Sequence, residues 1–156
     1  MNNDLLDDIY NYQPVNDMLA TSGQPTEAQL KIIANAGFQV VINLALHNDQ
    51  RYSLRDEAGS VNGLGMEYIH IPVAWEHPLG SDLQQFFAAM KRSAGKKIFL
   101  HCAANMRASA FLGLYRVLEQ GMPPDQAFDI MQLIWEPNAV WSGFIDQMLA
   151  RVSNAS

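Results

Sequence analysis

The sequence predicts an α/β domain with a mostly parallel sheet covered by helices on both faces. Three observations predict it. Short β-branched and apolar runs at residues 38–44, 66–73 and 97–101 read as buried strands. Between them lie capped segments of helical period, which supply the crossovers that parallel strands require. After His101 only helical patterns follow, leaving enough helix to cover the second face.

The elements follow in order. Thr26-Glu27-Ala28-Gln29 reads as a capping box, and Leu30, Ile32, Ile33 and Ala36 continue it as a short helix that stops at Gly37. The strand at 38–44 comes next, then a polar helix at 51–61 and a strand at 66–73 ending around Pro72. Ser81-Asp82-Leu83-Gln84 reads as a second capping box, with Leu83, Phe86, Phe87 and Met90 forming the apolar stripe of its helix. A strand at 97–101 leads to a helix at 107–120 stopped by Gly121, and two further helices are expected at 123–135 and 141–152.

At 156 residues and 49% hydrophobic composition, the chain is long enough for one domain with a real core and too short for two ordinary ones. We therefore expect a single domain over 1–156, with 1–18 as an N-terminal extension. The formal charge of −6 argues against a nucleic-acid surface or adhesion to an anionic membrane, while leaving room for a local anion site. A single cysteine excludes an intramolecular disulfide. The apolar runs fall far short of a membrane span, and the opening MNNDLLDDIY lacks the basic and apolar regions of a signal peptide, so the expected location is cytoplasmic. None of these features specifies an oligomeric state.

The stretch HCAANMRAS, residues 101–109, joins a predicted strand to a predicted helix and holds the lone cysteine. Ligands of open α/β sheets bind at the carboxyl ends of strands, and this stretch lies at such an end. The nucleophile is a thiolate, which a helix N-terminus and a nearby cation favour, and Cys102 precedes both. If Ala103, Ala104, Asn105 and Met106 wrap compactly, their backbone N–H groups form a cradle for a dianion such as phosphate. Arg107 then holds two phosphoryl oxygens with its planar fork, and Ser109 hydrogen-bonds the sulfur as leaving group. The plainer alternative is a buried core cysteine with two polar residues at a helix start.

His-Cys-Ala-Ala with a later arginine and serine resembles the phosphate-binding loop of cysteine-dependent protein phosphatases. Together with SGQPT at 22–26, VINL at 41–44, YIHIPV at 68–73 and HCAANMRASAF at 101–111, it resembles the bacterial phosphatase-like domain also found fused to β-lactamase-like hydrolases. That resemblance implies a tyrosine-phosphatase-like fold, a phosphocysteine intermediate, and a phosphorylated small molecule or phosphoprotein as substrate. It also implies Cys102, Arg107 and Ser109 as catalytic residues, with His101, Ala103, Ala104, Asn105 and Met106 around the phosphate.

One departure is specific. The phosphatase pattern has arginine six positions after the cysteine, where this chain has Ala108; Arg107 comes one earlier and Ser109 keeps its spacing. Either the loop is full-length with a displaced arginine, or it is one residue shorter. The shorter loop resembles that of rhodanese-type sulfurtransferases, whose thiolate carries sulfur. A third alternative is a non-catalytic phosphate- or anion-binding module. Asn105 stands where the pattern often has glycine, and asparagine tolerates positive φ.

A phosphatase of this type uses an upstream carboxylic acid to protonate the leaving oxygen. Where the resemblance leads us to expect aspartate, this chain has Trp75, so Glu76 is the candidate acid, followed by Asp82 and His77. Asp82 also suits a helix first turn. Trp75 is a candidate wall for an aromatic substrate. Trp135 and Trp141 read as core. Ser22 and Gln24 lie near the loop if the first strand of the fold ends at the same face. The four histidines have no metal-site spacing and no glycine-rich nucleotide loop is present, so no cofactor is expected.

Overall fold

The computed structural model describes residues 5–47 and 53–155. Its five strands are β1 (Gln13–Asn16), β2 (Leu19–Ser22), β3 (Val40–Asn43), β4 (Glu67–His70) and β5 (Ile98–His101), in sheet order β1-β2-β5-β3-β4. β1 is antiparallel to β2, and the other pairings are parallel. The α/β architecture with a mostly parallel sheet is thus present. Each of the three expected strands is shorter than its apolar run, because the run continues past the ladder into single bonds. Leu44 N–H donates to His101 O at 2.9 Å, Ile71 N–H to Asn43 O at 2.9 Å and Val73 N–H to Leu44 O at 3.0 Å.

The helices are α1 (Glu27–Asn35), α2 (Glu57–Gly63), α3 (Gly80–Arg92), α4 (Met106–Leu118), α5 (Pro124–Ala127), α6 (Asp129–Ile134) and α7 (Ala139–Ala155). α1 has the expected capping box: Thr26 Oγ1 accepts from Gln29 N–H at 3.1 Å, and Thr26 N–H donates to Gln29 Oε1 at 3.0 Å. α2 is shorter than the helix expected at 51–61. Its start is set by Asp56, whose carboxylate accepts from Gly59 N–H at 3.0 Å, while Arg51 and Tyr52 lie outside the described residues.

The cap expected at Ser81 is corrected. α3 begins earlier, at Gly80, and Asp82 reaches back to accept from Leu79 N–H at 3.1 Å. The single helix expected at 123–135 breaks into α5 and α6 at Phe128, whose backbone leaves helical geometry (φ −100°, ψ 18°). Its ring lies against Gly113 of α4, where a Cβ would stand 2.1 Å from Phe128 Cδ1. Close ring–backbone contact thus takes precedence over helix continuity.

Period-two alternation sends strand side chains to two cores. Val40, Ile42, Ile98 and Leu100 pack with Phe86 of α3, Phe111 of α4 and Trp141 of α7. Val41, Phe99 and Ala20 pack on the other face with Leu30 and Ile33 of α1. Each such fully buried side chain contributes roughly 1.5–3 kcal/mol. The segment read as an N-terminal extension joins this second core through Leu6 and Ile9, and it supplies β1. Among the described residues, no helix is long and apolar enough to cross a membrane.

Register brings the strand ends level. Ser22 and Asn43 both stand opposite His101, and His70 stands opposite Asn43. Whatever follows these four residues converges on one edge of the sheet.

Candidate active site

From that edge, β5 passes through Cys102 to Asn105 and enters α4. Two backbone contacts hold the turn against the end of β2: Cys102 N–H donates to Ser22 O at 3.3 Å, and Gln24 N–H donates to Ala103 O at 2.9 Å. Gly23 lets the strands approach this closely, since a Cβ there would stand 2.6 Å from Ala103 O and 2.7 Å from Tyr10 Cδ2. Asn105 takes the left-handed conformation (φ 65°, ψ 9°) that turns the chain into α4.

The Cys102 thiol is fully buried, and its Sγ accepts the Ala108 N–H at 3.4 Å. It forms part of the lining of a cavity of about 360 Å³, with Trp75, Ala103, Ala104, Met106 and Arg107. The sixth residue after the cysteine bonds the sulfur through its backbone, while the guanidinium comes from one position earlier, about 100° around the helix. Arg107 is largely buried and donates from Nη1 to Val73 O at 2.8 Å, fastening the loop to the segment after β4.

The predicted site residues divide. Trp75, Cys102, Ala103, Ala104, Met106 and Arg107 come together around the cavity. His101 does not line it: the side chain is fully buried, with Nε2 at 2.6 Å from Glu57 Oε2 and Nδ1 at 3.2 Å from Cys102 O. Asn105 is also fully buried outside the lining, its amide donating to Asn11 O at 2.8 Å and Thr21 Oγ1 at 2.9 Å. Ser109 was expected to bond the sulfur. Its Oγ instead donates to Met106 O at 3.1 Å and accepts from Trp135 Nε1 at 3.2 Å, leaving the sulfur to Ala108. Glu76 is exposed in a turn closed by His77 N–H on Ala74 O and lies outside the cavity lining. Asp82 is engaged in capping α3. Gln24 lies beneath the loop, as its strand position suggested, and donates from Nε2 to Glu57 Oε1 at 2.8 Å.

Glu57 is the residue that sequence reading missed. It opens α2, 44 positions from His101, and is fully buried between His101 and Gln24. Burial works against its charge. The Coulombic pull of His101, hydrogen bonds from His101 and Gln24 and the Coulombic pull of His47 outweigh that, holding the carboxyl below the usual range. Tyr68 lies alongside, its phenol pushed up to about 12 by burial and then by the Glu57 charge, against a hydrogen bond with Asn43. Asn43 Nδ2 donates to that phenol at 3.1 Å, and its Oδ1 accepts from Ala45 N–H at 2.9 Å.

Beside the cavity stand three tryptophans. Trp75 lies 5.4 Å from Trp135 and 5.8 Å from Trp141, ring centre to centre, and Trp141 Nε1 donates to Trp75 O at 2.8 Å. The indole expected to wall the pocket is therefore held by the two expected to pack the core. Among the described residues, no cluster of three or more histidine, cysteine or carboxylate side chains could hold a metal ion.

Residues 6–139 match the family described as DSP-PTPase phosphatase fused to NAD+ kinase. The chain is similar to a DUF442 protein of Shewanella putrefaciens CN-32 assigned to the phosphatases. They share 34% identity over 95% of this chain and 97% of that one, with a TM-score of 0.84. It is similar in fold to the catalytic core of the PP-IP phosphatase SIW14 of S. cerevisiae, at 15% identity, TM-score 0.74, 94% of this chain and 93% of the other. A β-lactamase hydrolase-like protein of Xylella fastidiosa (strain Temecula1 / ATCC 700964) is 26% identical over 72% of this chain. The matched region spans only 26% of that relative's length.

Proposed function

The chain belongs to the phosphatase family it matches over residues 6–139, and from that premise we propose that it hydrolyses phosphate monoesters through a phosphocysteine on Cys102. The observation that carries the reading is the buried Cys102 Sγ on the α4 N-terminal amide of Ala108, in a cavity that Arg107 shares. In this mechanism the thiolate forms an S–P bond as the bond from phosphorus to the leaving oxygen breaks. Water then attacks phosphorus, the S–P bond breaks, and thiolate and inorganic phosphate are released. Arg107 and the loop amides hold the equatorial oxygens, and the Ala108 N–H steadies the departing sulfur.

Among the described residues, no carboxylate lines the cavity. We therefore assign the leaving-group proton to solvent, which suits aryl phosphates, including phosphotyrosine, better than alkyl phosphates. Acid catalysis contributes roughly 10²–10⁴-fold, a loss that a good leaving group tolerates. Trp75 supplies a flat apolar surface beside the cysteine for such a ring. The sulfur-transfer alternative rested on the arginine spacing and on the missing upstream aspartate, and the Ala108 contact argues for the full-length loop on the first of these.

Assays on wild type and Cys102→Ser test this. We expect vanadate-sensitive release of phosphate from p-nitrophenyl phosphate by wild type and background release by the variant. Thiosulfate-to-cyanide sulfur transfer without phosphate release, or phosphate binding without turnover in either assay, would overturn it.

A further inference from the structure

Beyond the lining of the cavity, the cysteine loop is gripped from outside by Asn11. The Asn11 side-chain amide donates to Ala104 O at 3.0 Å, across 93 positions. In return, the Asn105 side-chain amide donates to Asn11 O at 2.8 Å and to Thr21 Oγ1 at 2.9 Å. The same segment accepts once more at Tyr10 O, from Gly23 N–H at 2.7 Å. Asn11 and Asn105 are also the two non-glycine residues of positive φ among the described residues, at 52° and 65°. A left-handed non-glycine residue persists where its surroundings over-determine it. Here each of the pair supplies a hydrogen bond that holds the other's turn in place.

Asn105 does not use its side chain to cap α4, although it occupies the N-cap position. Its amide is turned away from α4 to Asn11 and Thr21, so the first amides of α4 remain without a side-chain acceptor from their own cap. Engaging Ala104 O from behind likewise turns that peptide's carbonyl away from the cavity, which the Ala103 and Ala104 residues line.

We propose that Asn11 is a positioning residue for oxyanion binding, setting the curvature of the cysteine loop by clasping Ala104 and Asn105. The inference rests on the phosphatase reading and adds to it a residue that touches neither substrate nor sulfur. Its consequence is that the segment before β1 tunes affinity for the phosphoryl group rather than only adding to the core.

Two variants separate backbone from side chain. Asn11→Gly keeps the positive φ without strain and removes the amide donor, while Asn11→Asp keeps the shape and sets an acceptor against Ala104 O. Vanadate affinity by calorimetry, KM and kcat with p-nitrophenyl phosphate, and thermal unfolding would be measured on each. For Asn11→Gly we expect weaker vanadate binding and a higher KM by about 3–10-fold, the range of one hydrogen bond, with folding retained. For Asn11→Asp we expect a larger change in the same direction. Wild-type vanadate affinity and KM in both folded variants, or loss of activity that only follows loss of folded protein, would overturn the clasp. A wild type that neither binds vanadate nor turns over substrate would overturn the phosphatase reading with it.

Discussion

Two surroundings meet at Cys102. Beneath the loop, Glu57, His101, Gln24, Asn105, Thr21 and Asn11 form a layer of paired polar groups. Beside it, Trp75, Trp135 and Trp141 form an apolar wall whose rings meet at 5.4–6.1 Å. In the first, most polar atoms have a specified partner, with Gln24 Oε1 and Asn105 Oδ1 as buried exceptions, and deleting one partner leaves another buried and unpaired. In the second, energy is spread over area, with two indole N–H bonds as its only directional ties among the described residues. The loop is thus held from below by hydrogen bonds and flanked on one side by an apolar face.

The largest effect is expected for Glu57→Ala. Removing the carboxylate takes the partner from the buried His101 Nε2 and one of two acceptors from Gln24 Nε2, at a cost of roughly 3 kcal/mol, and urea unfolding checks it. A loss under about 1 kcal/mol would erase the distinction between the two surroundings. Gly23→Ala should cost roughly 1–3 kcal/mol by overpacking against the fixed carbonyl of Ala103, and should weaken vanadate binding as the loop shifts.

The pH dependence of stability sharpens the same contrast. Glu57 has a lowered folded-state pKa, so its contribution is present above the unfolded carboxylate value of about 4.3 and is lost as pH falls through the folded value. Tyr68 is shifted the opposite way, up to about 12. Its contribution is present below the unfolded value of about 10 and is lost as pH rises from there toward the folded one. Urea midpoints across pH should show both limbs, with the acid limb flattened in Glu57→Gln and the alkaline limb in Tyr68→Phe.

Trp135→Phe keeps most of the apolar area and removes the donor to Ser109 Oγ, so about 1 kcal/mol of stability should go while turnover stays near wild type. The smallest effect is expected for Glu76→Gln. Its exposed turn lies outside the cavity, and kcat on p-nitrophenyl phosphate should remain near the wild-type value. A fall on the order of 10²-fold would restore Glu76 as the acid.

The parts of the fold and site legible in sequence were those written by near neighbours. The Thr26–Gln29 box, the strand–loop–helix order around Cys102 and the tolerance of Asn105 for positive φ each depend on residues a few positions apart. β1 carried no such signal: it is a four-residue edge strand with Pro14 within it and a polar residue at each end. Ser109 kept the spacing of a sulfur-bonding serine, yet Trp135, 26 positions away, competes for its hydroxyl.

By itself the sequence determined the α/β class, the cysteine loop at a strand's carboxyl end and most of the residue types gathered around Cys102. Periodicity, capping and backbone conformation are local properties, and a single chain displays them in order. Only the tertiary structure decided that Ala108 rather than Ser109 meets the sulfur, that His101 turns to Glu57 and that Asn11 clasps the loop. A buried donor goes to whichever acceptor the packed fold brings within reach, and that choice is made among residues tens of positions apart.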